Sequence, residues 1–211
     1  MRDRRIDDGL DAHVRIEGLQ RSAQGVAFED DRPEGGRGVL KRLVANRMHF
    51  KVPEEEEVPL ILMPSKIDLF SKEGDVEAFI QEVKLYEREM SVPLEHIVID
   101  TLSKASSGAE ETSGRDMGIV LGNVDKIRKA TGAHVSIVHH LNAAGGKLRG
   151  HTSIHADVDQ VIMLTNDPET KVKTATVAKL KDDETGEQFK FTLTQIPVAY
   201  DEATGKDITS C

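Results

Sequence analysis

The strongest constraint on the fold is an alternation of short apolar runs with helical patterns through the middle of the chain. LILM, HIVID and HVSIVHH each have the length of one buried strand, and we predict strands near residues 59–63, 96–100 and 134–139. Both intervals between them contain apolar residues at helical spacing. Because parallel strands need a helical crossover between them, this order predicts an α/β fold with a mostly parallel sheet flanked by helices.

The second interval also shows where its helix begins and ends. Ser113 precedes the first apolar residue of the pattern. Asp116 lies three positions after Ser113, in a capping-box arrangement. Gly132 follows the last residue of the pattern, where a glycine commonly ends a helix. A further helical pattern lies upstream at residues 39–48. We therefore predict helices both before and between the strands.

The C-terminal third of the chain contains three more apolar runs. We expect the run at 160–165 to be another parallel neighbour in the sheet. The runs at 173–181 and 189–196 flank the turn-forming sequence DDETGEQ, which predicts an antiparallel hairpin at the end of the sheet.

Composition limits the class of protein. The chain has 37 acidic and 28 basic residues in 211, and its net charge of -9 argues against nucleic-acid binding by bulk charge, while a local basic loop remains compatible. Cys211 is the single cysteine, so we expect a cytoplasmic protein without an intrachain disulfide. We find no apolar stretch of membrane-spanning length and expect no membrane partner. Residues 1–25 are charged and poorly periodic, so we expect them to be poorly structured and residues 26–211 to form one partial domain.

Polar residues follow two of the predicted strands directly. Asp100 ends one strand, and His139 and His140 end the next. In open parallel sheets, ligands bind beyond the carboxyl ends of the strands. An aspartate there can hold Mg²⁺ through oxygen, although it can also serve only to cap a turn.

The segment from Glu34 to the C-terminus resembles the RecA-like ATPases related to the plasmid replicative helicase RepA, a group common in phages and plasmids. The resemblance rests on a strand ending in IDTLS, a loop reaching DM, then ATGAHV, VHH, a glycine-rich loop and RGHTSIHADVD. It implies a RecA-like P-loop NTPase core of the AAA type that uses ATP and Mg²⁺. It also implies a homo-oligomeric ring, with single-stranded DNA as a possible partner.

The resemblance implies roles for individual residues of the nucleotide site. Asp100 matches the Walker B aspartate that supports Mg²⁺, and Thr101 beside it is a candidate nucleotide-site residue. Glu34 matches the glutamate that polarises the attacking water, and His140 matches the sensor at the end of the next strand. On the residues alone, Glu34 can equally be an ordinary loop carboxylate. Neighbours on a strand point to opposite faces, so we expect at least one of the two adjacent histidines to be structural.

The resemblance also implies contacts beyond the nucleotide. The loop after VHH would face DNA, with Lys147 and Arg149 meeting the phosphate backbone. Lys179 and Lys181 match basic residues that can reach the γ-phosphate on a neighbouring subunit. Alternate residues of a strand share one face, so these two lysines can also be a solvated surface.

One departure from the family pattern determines our expectation for ATP binding and hydrolysis. No GxxxxGK[ST] motif occurs in the sequence, although the family carries this phosphate-binding loop upstream of the position of Glu34. We therefore expect a truncated or diverged ATPase with weak ATP binding. A non-catalytic pseudo-ATPase subunit of an oligomer is the alternative that this absence favours.

A metal-dependent hydrolase is a further alternative, since the sequence around the last strands is rich in metal-ligand types. The residues concerned are Asp100, His139, His140, His151, His155, Asp157 and Asp159.

Overall fold

The computed structural model describes residues 14–16, 25–28, 33–53, 55–56, 58–63, 67–70, 74–141 and 149–211, with side chains from residue 38 onward. The described helices are α1 Pro33–Phe50, α2 Asp75–Met90, α3 Leu102–Ala105, α4 Gly114–Thr131 and α5 Thr152–Asp157. The described strands are β1 Val14–Ile16, β2 Gly25–Phe28, β3 Leu60–Met63, β4 His96–Asp100, β5 His134–Val138, β6 Gln160–Asn166, β7 Lys173–Leu180, β8 Gln188–Phe191, β9 Ile196–Asp201 and β10 Lys206–Ser210. None of the described helices has the length and apolar character needed to cross a membrane.

A five-stranded sheet in the order β1-β3-β2-β4-β5 organises the first two thirds of the chain. Strands β3, β2, β4 and β5 are parallel, and β1 runs antiparallel to β3. The predicted strands at 59–63, 96–100 and 134–139 and their parallel arrangement are confirmed. The sequence patterns did not reveal β2, which lies between β3 and β4, or β1, which falls within the segment expected to be poorly structured.

The predicted partner of the run at 160–165 is wrong. Strand β6 pairs antiparallel with β7 rather than joining the parallel sheet. The turn between them explains this choice: the Asp167 carboxylate accepts hydrogen bonds from the amides of Glu169 and Thr170, and the Asp167 amide donates to the Val172 carbonyl at 2.9 Å. A hairpin turn joins antiparallel strands locally, whereas a parallel partner would need a longer crossover.

The antiparallel hairpin after it is confirmed in a shortened form. β7 pairs with β8 in a three-stranded sheet of order β6-β7-β8. The predicted strand at 189–196 is divided, because β8 ends at Phe191 and residue 196 begins β9, which pairs with β10 in a separate two-stranded sheet.

The main core lies between the parallel sheet and the helices α2 and α4. It consists largely of fully buried apolar side chains, including Val83, Ile97, Ile99, Leu102, Met117, Val120 and Ile127. The predicted ends of α4 are confirmed: the Ser113 hydroxyl accepts a hydrogen bond from the Asp116 amide, and Gly132 adopts φ 74°. These interactions fix the two ends of α4, which connects β4 to β5, and the carboxyl ends of these two strands carry the candidate site.

Candidate functional site

Asp100 lies at the carboxyl end of β4 with its side chain exposed to solvent. The two preceding core residues, Ile97 and Ile99, are 0% and 1% exposed. The apolar run therefore fixes the strand in the core, and the carboxylate emerges at the point where the sheet meets solvent. An exposed carboxylate in this position has the oxygen donors that Mg²⁺ prefers.

The polar loop after Asp100 is a short helix that the core anchors. Thr101 is buried, and its carbonyl accepts hydrogen bonds from the amides of Lys104 and Ala105. Leu102 is fully buried, and its carbonyl accepts a hydrogen bond from the Ser106 hydroxyl at 2.7 Å. Thr101 and Leu102 thus hold α3 against the core, and the side chains of Ser103 and Lys104 face solvent beside Asp100.

The parallel register brings the histidines to the same end of the sheet as Asp100. Asp100 pairs with Val138, so His139 and His140 follow one and two residues beyond it. The His139 ring is partly buried, and its Nε2 lies 2.7 Å from the Arg149 carbonyl oxygen, which requires Nε2 to carry the proton. The His140 side chain is exposed, so of the two histidines it is the one available to a ligand.

Backbone and side-chain contacts close the base of the loop that follows. The Arg149 amide donates to the His140 carbonyl at 3.1 Å, alongside the bond from His139. The Arg149 guanidinium forms an ion pair with Glu111, with Nε and Oε2 2.8 Å apart. Lys147, the other predicted DNA contact, lies outside the described residues, as does the rest of 142–148. Arg149 therefore stands at the loop base, bound to an acidic partner.

Glu111 was not singled out in the sequence, yet its backbone organises this corner. Its carbonyl accepts the His151 amide at 2.7 Å. Gly150 adopts φ +96°, and a side chain there would bring its Cβ within 2.8 Å of the same carbonyl oxygen. A Cβ at Gly114 would meet the His151 ring at 2.9 Å, so this position also favours glycine. The composition of the run GAEETSG predicts only a turn. It does not indicate which residues elsewhere in the chain this turn contacts.

The two lysines on β7 have different environments. Lys179 Nζ donates to the carbonyls of three residues at the end of α5, His155, Ala156 and Val158, at 2.7–2.8 Å. Lys181 is exposed and forms an ion pair with Asp159, with Nζ and Oδ1 3.2 Å apart. The ammonium of Lys179 is therefore saturated by its own chain, whereas that of Lys181 has one weak surface partner.

Glu34 lies in the first turn of α1, and its side chain is outside the described part of the structure. The residues considered for a hydrolytic metal centre are all described. Within the described residues, no three or more His, Cys, Asp or Glu side chains come together in a group that could hold a metal ion. The sequence-based metal-hydrolase alternative therefore has no ligand cluster among these side chains.

The fold and the site together define an α/β protein whose candidate functional residues, Asp100 and His140, lie at the carboxyl ends of two parallel strands. The profile of the AAA domain family matches residues 26–146, which is more than half of the 211 residues, so the chain belongs to this family. Among solved structures, the crystal structure of the RadB recombinase is similar with a TM-score of 0.52 and 19% sequence identity, over 82% of this chain and 76% of that one. This similarity supports the RecA-like fold. A comparison with curated protein sequences gives no match.

Proposed function

We propose that the chain forms the magnesium side of an ATP site in a DNA-acting, RepA-related RecA-like ATPase. The single observation that carries this proposal is the meeting of Asp100 and His140 at the carboxyl ends of two adjacent parallel strands, since this is where open α/β sheets bind ligands. Membership of the AAA domain family supports ATP as the nucleotide.

The residues of this chain would divide the work as follows. Asp100 would hold Mg²⁺ through its water shell, and the metal would neutralise charge on the phosphates. Glu34 would accept the proton of the attacking water. Thr101, which is buried, would contribute by orienting the strand end rather than through direct contact. His140 would couple this site to the loop at 141–150.

The phosphate cradle is the part that the sequence does not supply. A P-loop holds phosphates with backbone amides and a lysine, and no GxxxxGK[ST] motif is present. We therefore expect weak ATP affinity for the chain alone. Loss of several charge-assisted hydrogen bonds at about 1.5–3 kcal/mol each is consistent with an affinity decrease of about a thousandfold.

A fusion tests the proposal directly. A strand–GxxxxGKT–helix segment joined to the N-terminus of the full chain should produce Mg²⁺-dependent ATP hydrolysis. Asp100→Asn should abolish the activity, because the amide has lost the negative charge that holds the metal. Asp207→Asn, an exposed change on β10, is the matched control and should leave it unchanged. Hydrolysis that survives Asp100→Asn at full rate would exclude the proposed metal site.

The DNA-facing role belongs to the loop after β5. Lys147 and Arg149 would neutralise backbone phosphates, so Lys147→Ala should reduce stimulation of the fusion by single-stranded DNA and lower its salt dependence. Arg149→Ala should act less specifically, because its guanidinium also holds Glu111. Stimulation that is insensitive to both changes would remove the loop from DNA binding.

Assembly into a ring would bring a basic residue of one subunit to the nucleotide of the next. We propose Lys181 rather than Lys179 for this role, since Lys179 already donates to three carbonyls of its own chain. A non-catalytic oligomer subunit is the second candidate, favoured by the absence of the GxxxxGK[ST] motif. Sedimentation of the chain mixed with an intact homologue tests it: co-assembly without an increase in ATPase rate would favour the pseudo-ATPase.

A further inference from the structure

Two histidines lie side by side at the amino ends of β4 and β5, opposite to the ends that carry Asp100 and His140. The parallel register pairs His96 with His134. Because paired residues of adjacent strands project to the same face of a sheet, the two side chains meet, with ring centres 5.2 Å apart and ring planes tilted by 60°. The His134 amide donates to the Glu95 carbonyl at 2.8 Å and so fixes the backbone at this end of the strand pair.

The histidine pair lies on the face of the sheet that points away from the main core. Ile97 and Ile99 face that core and are almost fully buried, so His96, which alternates with them on β4, faces the other way. On β5, His134 is exposed to solvent, and Ser136 shares its face two residues further on. An ion can therefore reach the pair without disturbing the core.

A hydrogen bond orients the ring of His96. Its Nε2 lies 2.8 Å from the Ser136 hydroxyl oxygen. When Nε2 donates its proton to this hydroxyl, Nδ1 carries the lone pair that a metal ion needs. Histidines that bind metals almost always hold their second ring nitrogen in such a bond, which fixes both the tautomer and the ring. Ser136 therefore has the position of an orienting partner behind a metal ligand.

The separation of the two rings matches the span of a tetrahedral metal ion. An ion bound to two imidazole nitrogens at about 2.0–2.1 Å holds the ring centres roughly 5 Å apart. Imidazole suits zinc, copper and nickel, whereas magnesium prefers oxygen ligands. Burial, and secondarily the nearby His134, lowers the pKa of His96, which favours the neutral ring that a metal ligand must have.

The number of protein ligands defines the kind of site. Catalytic zinc sites have three protein ligands and structural zinc sites have four, so two histidines suit a reversibly bound ion whose remaining positions are filled by water. The net charge of -9 favours the approach of a cation. An ion held by both rings would link β4 to β5 and stabilise the folded chain by mass action.

We propose that His96 and His134 chelate a divalent transition-metal ion such as Zn²⁺, with Ser136 as the residue that orients His96. This site is separate from the magnesium site proposed at the other end of the same strands and does not depend on it. The choice of metal distinguishes the two sites. Zn²⁺ should bind the histidine pair and raise the melting temperature of the chain, whereas Mg²⁺ should leave the resonances of both histidine rings unchanged.

Titration of the full chain with Zn²⁺ tests the site, using calorimetry for affinity and nuclear magnetic resonance of labelled histidine rings for location. The ring signals of His96 and His134 should shift together. His134→Gln removes a ligand and should weaken binding about a hundredfold, and Ser136→Ala should weaken it about tenfold, since loss of an outer partner costs about 10–100-fold. His134→Cys should retain binding, because a thiolate also binds zinc. His155→Gln, at an exposed histidine of α5, is the matched control and should change nothing.

Three results would overturn the proposal. They are an absence of saturable Zn²⁺ binding, an affinity that His134→Gln leaves unchanged or reduces no more than His155→Gln does, and ring shifts confined to other histidines. Because the side chain of His134 is exposed, its replacement should leave the fold intact, which circular dichroism checks. The test therefore does not depend on the folding of a variant at the half-buried His96.

Discussion

In the β4–α4–β5 unit, Ile99, Leu102 and Met117 are at most 1% exposed, whereas in the β6–β8 sheet Ile162 and Leu164 are 53% and 62% exposed. The exposed residues of the second region share one face, because Leu164 pairs across Ala175 with Phe189. The first region is stabilised by packing between sheet and helices. The second is stabilised mainly by its backbone ladder and by polar contacts such as those of Lys179.

This contrast explains why the candidate site lies where it does. A site that holds a metal or phosphate needs side chains placed by a rigid scaffold; burial gives β4 that rigidity, and β5 is held by its pairing with β4. The same contrast predicts that equivalent substitutions will have different costs in the two regions.

The largest difference should come from removing apolar volume. Ile99→Ala should lower the free energy of unfolding by about 2–5 kcal/mol, because it leaves a cavity in a fully packed core. Leu164→Ala should cost no more than about 0.5 kcal/mol, since that side chain is exposed. Urea denaturation followed by far-UV circular dichroism measures both, as the chain has no tryptophan. Equal losses in the free energy of unfolding would mean that the face of the β6–β8 sheet that carries Leu164 is covered in solution.

The next test concerns the polar contacts of the second region. Lys179→Met keeps the aliphatic stem but leaves three carbonyls at the end of α5 without their donor, and should cost about 1–3 kcal/mol. Lys181→Met removes only an exposed ion pair and should cost about 0–1 kcal/mol. The same denaturation measurement compares them. A larger effect at Lys181 would contradict the structural role of Lys179.

A smaller effect is expected at the base of the loop that follows β5. Glu111→Gln removes the negative partner of Arg149 and should cost about 0.2–1 kcal/mol, because the pair is partly exposed to solvent. Hydrogen exchange should accelerate at the Arg149 amide. It should change less at the His151 amide, which is bonded to the Glu111 backbone carbonyl. Glu184→Gln, in the exposed β7–β8 connection, is the control, and acceleration at both amides alike would indicate general loosening of this corner.

The smallest effect should be a pH dependence of the free energy of unfolding that comes from a histidine in the parallel sheet. Burial, and secondarily the nearby His134, lowers the pKa of His96, whose Nε2 lies 2.8 Å from the Ser136 hydroxyl. The folded state therefore prefers the neutral ring, while the unfolded chain takes up a proton near the ordinary pKa of about 6.5. Stability should be fully present above that pH and decline as the pH falls from it towards the lowered pKa.

Replacement of the histidine isolates this contribution. His96→Gln should flatten the decline between about pH 7 and 5, where the ordinary pKa of histidine lies. The exposed His155→Gln should leave the pH dependence close to that of the unchanged chain. A decline that persists fully in His96→Gln would assign it to other groups.

Local signals were sufficient for the ends of α4, since Ser113 and Gly132 act within a few residues of the positions they cap. They failed for β6, where a turn built on Asp167 redirected an apolar run from the parallel sheet into a hairpin. They also missed β2, because a four-residue strand inside a charged segment is too short to show periodicity. The Glu111 corner could not be predicted, since its partner lies 38 residues away in the chain at Arg149 (149 − 111).

The sequence by itself determined the parallel α/β unit and the placement of Asp100, His139 and His140 at strand ends, because apolar runs of strand length leave few alternatives for where polar residues emerge. Only the tertiary structure decided which of these groups stay available. Partners distant in sequence turned His139, Arg149 and Lys179 towards their own chain and left the side chains of Asp100 and His140 exposed. Contacts between residues distant in the chain depend on how strands and loops pack in three dimensions. No local sequence pattern predicts which residues will make them.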